Sequence, residues 1–268
     1  NIKMATTRKY IKKDPIEHIM LRPDMYVGST TLKKTQEYIA ERSSGSYHIY
    51  KKEIRVSPAI VRVFIEAISN AVDNVERSKT TDTKCTKIKV SFDKETGLTS
   101  IWNDGDIIPI EINEENKCYN HSLIFGHLLT GSNYDDEEDR TTSGKNGLGV
   151  KLLNVFSSQF SVEGLDPKNG KILKQTWTNN MRTTEGPVVK NTKLKRGYTK
   201  VSWIPDFTLF KIENYNDDIL NLYTRYIIDA AMLTKIGVYI NDELIPVDSL
   251  QKYASLYSSP TDESISIR

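Results

Sequence analysis

Apolar residues recur along the chain with two different periods, and those periods divide it into helices and strands. Over residues 57–77, Phe64, Ile68, Ala71, Val72 and Val75 share one face at about 100° per residue, which predicts a helix opened by Ser57-Pro58. Helical periods also cover 121–130, 148–156 and 217–233. At 87–92 the period shortens to two, with Ile88, Val90 and Phe92 in alternation. A second strand at 98–102 follows the turn Lys94-Glu95-Thr96-Gly97, so the pair reads as a β-hairpin. Further strands are expected at 160–163, 172–178 and 199–204, with a hairpin over 238–247 around Asn241-Asp242. Near the start, Asp14 as N-cap, Pro15 at the first helical position and Glu17 in the first turn predict a short helix that Arg22-Pro23-Asp24 ends. Mixed elements with several antiparallel hairpins favour an α+β fold, a two-layer sandwich with helices on one face of a mixed, mostly antiparallel sheet.

Composition narrows the class. The 268 residues carry a formal net charge of +2, so this chain lacks the strong basic excess of a dedicated DNA-binding domain. Its two cysteines, Cys85 and Cys118, form no CxxC pair, which argues against a zinc site or a disulfide framework. The longest apolar stretch, near 226–233, is far too short to span a bilayer, and no membrane partner is expected. The polar, basic start without Met and the closing alternation Ile265-Ser266-Ile267-Arg268 read as a fragment trimmed at both ends. His18, His48, His121 and His127 show no metal-ligand spacing and are expected in core or surface roles.

The helix over 57–77 carries the most chemical information. Glu66, Asn70, Asp73 and Asn74 fall on one face, opposite the apolar one. A polar helical face is most often simply solvated. Solvated faces favour good helix formers, however, and Asn and Asp are poor ones because their side chains compete for backbone hydrogen bonds. Three of them within five residues suggest a use: amide oxygens suit Mg²⁺, and Glu66 one turn earlier suits a general base for water.

Two loops extend the argument. Gly144-Lys145-Asn146-Gly147-Leu148-Gly149-Val150-Lys151 supplies three glycines that let backbone N–H groups approach an anion, and the helix that follows points its positive end at the same place. Lys151 in that first turn opposes the helix dipole, a conflict an anionic ligand would relieve. The loop is neither a Walker A sequence nor a dinucleotide fingerprint, and taken alone it is equally a flexible surface loop. Asn103-Asp104-Gly105-Asp106-Ile107 reads first as a turn. A carboxylate at Asp104 could also accept the exocyclic amino group of adenine, where guanine presents a carbonyl. Thr130-Gly131-Ser132-Asn133 offers small polar groups suited to ribose or to a helix end.

The order of these elements, Glu-x-x-x-Asn-x-x-Asp-Asn, then Asn-Asp-Gly, then Gly-x-Asn-Gly-x-Gly, resembles the GHKL ATPase superfamily. Within it the chain is most similar to eukaryotic-type type II DNA topoisomerases. That likeness runs from Tyr10-Ile11-Lys12-Lys13 and Leu21-Arg22-Pro23-Asp24-Met25-Tyr26-Val27-Gly28, through Leu123-Ile124-Phe125-Gly126 and the glycine loop, to Tyr198-Thr199-Lys200-Val201. The resemblance implies the Bergerat fold, with an arm and first helix over 1–30, the ATPase domain over 31–250 and the start of a linker or transducer domain over 251–268.

The resemblance also implies ATP and Mg²⁺ as ligands and Glu66 as the general base. Asn70 would ligate Mg²⁺ and Asn74 would contact phosphate, with Asp73 beside them. Asp104 and Gly105 would meet the base, with Thr199 nearby. Gly131, Ser132 and Asn133 would touch ribose and base, and residues 144–151 would wrap the triphosphate. Tyr10 would reach into the partner subunit's site in a homodimeric gate that captures double-stranded DNA in the full-length enzyme. Localisation would be nuclear in a cell, or host cytoplasm and virion for a virus. In that family the following domain contributes a lysine to the terminal phosphate, so a chain ending at Arg268 is expected to turn over slowly and dimerise weakly. Three departures stand out. Ile107 occupies the second glycine of the family turn and resists φ > 0 there, so an altered turn is expected. Asp104 stands where eukaryotic enzymes usually carry Asn, and Gly131 stands in place of Ser. Lys193-Leu194-Lys195-Arg196 reads as a solvated loop that could brush DNA in a closed gate. Competing readings are a nucleotide-dependent dimerisation switch with little turnover and another GHKL ATPase.

Overall fold

The structure is a computed structural model that describes residues 14–128 and 148–257. Asp14 caps α1 (Pro15–Leu21) by accepting from the Glu17 amide, and a 3-10 turn at Pro23–Met25 ends the segment. Two long strands follow, β1 (Lys33–Ser43) and β2 (Ser46–Val56), paired over their whole length in an antiparallel hairpin that has no counterpart among the expected elements. Then come α2 (Pro58–Ser78), β3 (Lys87–Phe92), β4 (Thr99–Asp104), and the short pair β5 (Ile112–Asn113) and β6 (Cys118–Tyr119). Helices α3 (Asn120–Gly126) and α4 (Gly149–Val155) precede β7 (Ser157–Asp166), β8 (Lys171–Thr178), β9 (Thr183–Asn191) and β10 (Tyr198–Pro205). The described chain closes with α5 (Asp217–Thr234), β11 (Gly237–Ile240), β12 (Glu243–Leu244) and α6 (Leu250–Ser255).

Eight strands form one sheet in the order β12-β11-β3-β4-β10-β7-β8-β9. Only β11–β3 is parallel. Strand alternation separates the two faces cleanly. Ile88, Val90, Ile101, Phe160, Val162, Leu173, Trp177 and Trp203 are buried on one face, and α2 and α5 pack there. The opposite face carries Lys89, Trp102, Glu163, Lys174 and Lys200 in one cross-strand row. This is the α+β architecture expected, with helices on one side of a mostly antiparallel sheet; the β1–β2 hairpin lies against α5.

The apolar face of α2 buries Ile60, Val63, Phe64, Ala67, Ile68, Ala71 and Val75. Phe64 stacks on Tyr223 of α5 with ring centroids 3.9 Å apart and planes within 6°, and it tilts against Trp203 of β10. Loss of a buried aromatic of this kind costs on the order of 3–5 kcal/mol. This packing fixes the rotation of α2, and with it the direction of the helix's polar residues.

Candidate functional site

With its apolar face buried, α2 directs Glu66 and Asn70 toward α4. Asn70 is exposed, and Glu66, one turn earlier, is half-buried. Arg62 Nη2 lies 2.6 Å from Glu66 Oε1, an i,i+4 ion pair that holds the carboxylate in one rotamer. The other carboxylate oxygen, Oε2, lies so close to Gly149 that a Cβ added there would overlap it. Gly149 is the first residue of α4, so Glu66 stands at the end of the helix where backbone N–H groups lack intrahelical partners. Lys151, in the first turn of α4, is buried, and burial pushes its ammonium down to about 8. Asn154, fully buried further along α4, donates from Nδ2 to the carbonyl of Phe125 at 3.0 Å and so ties α4 to the end of α3.

Toward the C-terminal end of α2 the polar residues have a different use. Asn74 is buried and its amide clasps the backbone of Asp106: Nδ2 donates to the carbonyl at 2.6 Å, and the Asp106 amide donates to Oδ1 at 3.1 Å. Each end of the side chain makes one of these bonds, and the second Nδ2 hydrogen remains for the phosphate contact expected of Asn74. Its work is to hold the turn after β4, together with Arg77, whose Nε lies 3.2 Å from the Asp106 carboxylate. Asp73 is half-buried on the same helix. Gly105 in the held turn has φ +105°, and a Cβ there would stand 2.6 Å from Cys85 Cβ, so only glycine fits. Ile107 keeps a negative φ, and its Cγ2 packs onto Gly197, 2.7 Å from where a Cβ would stand. The left-handed residue that the turn needs is therefore Gly105, and Ile107 imposes no strain of the expected kind.

Asp104 requires the larger correction. The strand β4 runs through Asp104, so Asn103 and Asp104 point to opposite faces of the sheet. Asp104 lies on the face away from α2 and is completely buried. Its Oδ1 accepts the amides of Thr86 and Lys87 at 2.7 and 2.9 Å. Its Oδ2 accepts the Thr86 hydroxyl at 2.8 Å, Arg196 Nε at 2.7 Å and Arg196 Nη2. Burial alone would raise this carboxyl's pKa, but the amide donors, the hydroxyl and the guanidinium hold it below the ordinary carboxylate range. A carboxylate with five donors on the wrong face has nothing left for a base. On the α2 side, Asn103 stands directly opposite Thr199 of β10. Asn103 Nδ2 donates to the Asp104 carbonyl at 3.1 Å, which orients the amide and leaves Oδ1 as its acceptor.

The described structure thus brings together Glu66, Asn70, Leu148, Gly149, Val150 and Lys151 between α2 and α4, and sets Asn103, Gly105 and Thr199 at the neighbouring end of the sheet. Tyr10, Gly131, Ser132, Asn133, Gly144, Lys145, Asn146 and Gly147 lie outside the described residues. Sequence reasoning missed Arg62, Asn103 and Arg196. The first was legible as a cation four residues before Glu66, the second as the inward partner of Ile101 in strand alternation. Among the described residues no group of three or more His, Cys, Asp and Glu side chains could hold a metal. The hard oxygen donor of Asn70 beside Glu66 nevertheless suits Mg²⁺ when phosphate oxygens complete its shell.

No family model matches the chain. Individual proteins do. It is 41% identical to DNA topoisomerase 2 of Invertebrate iridescent virus 6 over 98% of its own length and 24% of that protein's. It is likewise 41% identical to DNA topoisomerase 2 of Acanthamoeba polyphaga mimivirus, over 93% of this chain and 20% of the relative. The chain therefore spans about a quarter or less of these relatives. Among solved structures, the ATPase region of Saccharomyces cerevisiae topoisomerase II superposes with a TM-score of 0.87 at 35% identity, covering 94% of this chain and 66% of that one.

Proposed function

Because the chain belongs to the ATPase region of the eukaryotic-type type II DNA topoisomerases, we propose that it binds ATP with Mg²⁺ between α2 and α4 and hydrolyses it with Glu66 as general base. The observation that carries this reading is the approach of the Glu66 carboxylate to Gly149 at the start of α4. Phosphate held by the free N–H groups of that helix end lies within reach of a water on Glu66. Glu66 takes a proton from that water, the water oxygen bonds to the terminal phosphorus, and the bond to the bridging oxygen breaks to release ADP and phosphate. Arg62 keeps the carboxylate aimed throughout. Asn70 supplies an amide oxygen to Mg²⁺, whose chemistry when bound is to neutralise charge on the phosphate oxygens. Lys151, buried in the first turn of α4, serves the same end. A Cβ at 149 would push the carboxylate of the base aside.

The base-reading role moves to Asn103. With its amide oriented by the Asp104 carbonyl, Oδ1 accepts the adenine amino group, and the guanine carbonyl meets an acceptor instead. Thr199, facing Asn103 across the β4–β10 pair, supports the same edge. Within the longer protein the module would drive passage of double-stranded DNA through a homodimeric gate, with Tyr10 acting in the partner's site. Relatives occur in viruses and in eukaryotes, so the cellular setting would be nuclear, or host cytoplasm and virion. Residues 1–30, 31–250 and 251–268 would serve as arm, ATPase domain and beginning of the next domain.

Glu66→Gln tests the mechanism. Turnover should fall about 10²–10⁴-fold with nucleotide affinity retained in calorimetric titration. Wild-type turnover in that variant would assign the base elsewhere. Equal affinity for ATP and GTP analogues would remove Asn103 from the base edge.

A further inference from the structure

The sheet face away from α2 carries no helix among the described residues, and its charge is one-sided. Lys87, Lys174, Lys190 and Lys200 project from β3, β8, β9 and β10 on this side, and Lys193 and Lys195 stand in the loop that enters β10. None of the six takes part in an ion pair among the described residues, whereas Lys89 on the same face is paired with Asp242. The acids here are already engaged or peripheral. Asp104 is gripped by Arg196, Glu163 accepts the Tyr198 hydroxyl at 2.6 Å, and Glu185 sits on the outermost strand. A positive excess therefore remains on one face of a chain whose total charge is only +2.

We propose that this open face binds the phosphate backbone of double-stranded DNA. Two features select that partner. The first is the donor chemistry. Arg196, the guanidinium within the cluster, is committed to Asp104 and Thr86, which leaves ammonium groups and a row of half-buried hydroxyls on Ser202, Ser161 and Thr176. Lysine and hydroxyl donors fit phosphate oxygens, while base edges are read mainly by Arg, Asn and Gln. The contact is therefore indifferent to sequence. The second is extent. Lys87 and Lys190 are separated by five strand spacings of ~4.8 Å, or about 24 Å, a span over which a duplex presents about 14 phosphates. Arg196 also gives the lysine loop a rigid base: its guanidinium pins the loop to β4 and to Thr86 just before β3, and the Thr192 amide pins it to the Gly170 carbonyl at 2.8 Å. The inference takes duplex DNA as the polyanion from the functional reading above but uses none of the nucleotide chemistry.

The experiment is fluorescence anisotropy of a labelled 30-base-pair duplex titrated with the 268-residue chain across a salt series. Each neutralised phosphate contributes about −0.9 to the slope of log K against log salt, so Lys87→Ala with Lys190→Ala should flatten the slope by about 2 and weaken binding on the order of tenfold at low salt. Lys33→Ala with Lys51→Ala removes the same charge from the β1–β2 hairpin and should change neither. Basal ATP turnover should be the same in both double variants, so a failure of the ATPase reading shows separately, in the wild-type chain. Absence of duplex binding, equal effects of the two double variants, or displacement of the duplex by polyglutamate at equal charge concentration would each overturn the proposal. The last would point to an acidic protein segment.

Discussion

Glu66 and Asp104 are both carboxylates on regular elements, and their surroundings are opposites. Glu66 is half-buried at the mouth between α2 and α4, held by a single guanidinium on one oxygen while the other faces a glycine. Asp104 is fully buried behind the sheet, with donors on both oxygens from two backbone amides, a hydroxyl and Arg196. A carboxylate whose lone pairs are all used holds structure together, and one with an oxygen to spare can take a proton. The residue types alone do not distinguish the two.

This contrast can be broken by exchanging the readouts. Asp104→Ala leaves the Thr86 and Lys87 amides without their acceptor and should cost about 2–3 kcal/mol in denaturant unfolding, discounted because Arg196 remains half-open to solvent. ATP affinity should stay within about twofold. A large loss of affinity without loss of stability would return Asp104 to the binding site. Gly149→Ala is the converse. Alanine is the better helix former, so stability should hold or rise, while displacement of Glu66 lowers turnover on the order of tenfold, or about 1.4 kcal/mol. An unchanged kcat would show that the carboxylate does not act from its observed position.

His121 sharpens the contrast from a third side, because it is fully buried and neither ring nitrogen has a hydrogen-bond partner among the described residues. Burial pushes its imidazole down to about 4. The folded state therefore binds the proton less readily than the unfolded one. Stability from this group is complete above pH 6.5 and declines as pH falls from about 6.5 toward 4, by up to ~1.4 kcal/mol per pH unit. Chemical unfolding midpoints at pH 7 and 5 should differ less in His121→Phe than in the wild type. An unaltered acid limb would place its cause in other groups. Ile107→Gly should cost about 1–2 kcal/mol, from backbone entropy and the lost packing on Gly197, with no gain in nucleotide affinity, since Gly105 already supplies the left-handed turn. Tighter ATP binding by that variant would mean the turn is strained after all.

Much of this architecture was legible in periodicity. The bounds of α2 and α5 and the strand Lys87–Phe92 follow from apolar spacing, because a single buried face dictates them. The β1–β2 hairpin was not, since its few core residues, Ile39, Ala40, Tyr47, Ile49, Ile54 and Val56, break strict alternation and are spaced out by exposed lysines and glutamates. The error at Asp104 has a similarly local cause. Asn-Asp-Gly reads as a turn from its first residue, yet β4 continues through Asp104, and a shift of one position in a strand moves a side chain to the other face. Asn74 lies on the expected helical face, but its clasp on Asp106 depends on where the β4 turn docks, which apolar spacing along α2 does not carry.

Gly105 presses against Cys85, and that contact gives the molecule a built-in chemical reporter. Burial, followed by the nearby Asp104 charge, pushes the Cys85 thiol up to about 12, so near neutrality it stays protonated and slow to react. Cys118, at the start of β6, is only half-buried. An alkylating reagent should therefore label Cys118 first, and modification of Cys85 would record the moments when the β4 turn swings off α2. The rate of that second alkylation, with and without nucleotide, measures how tightly Asn74 keeps its grip.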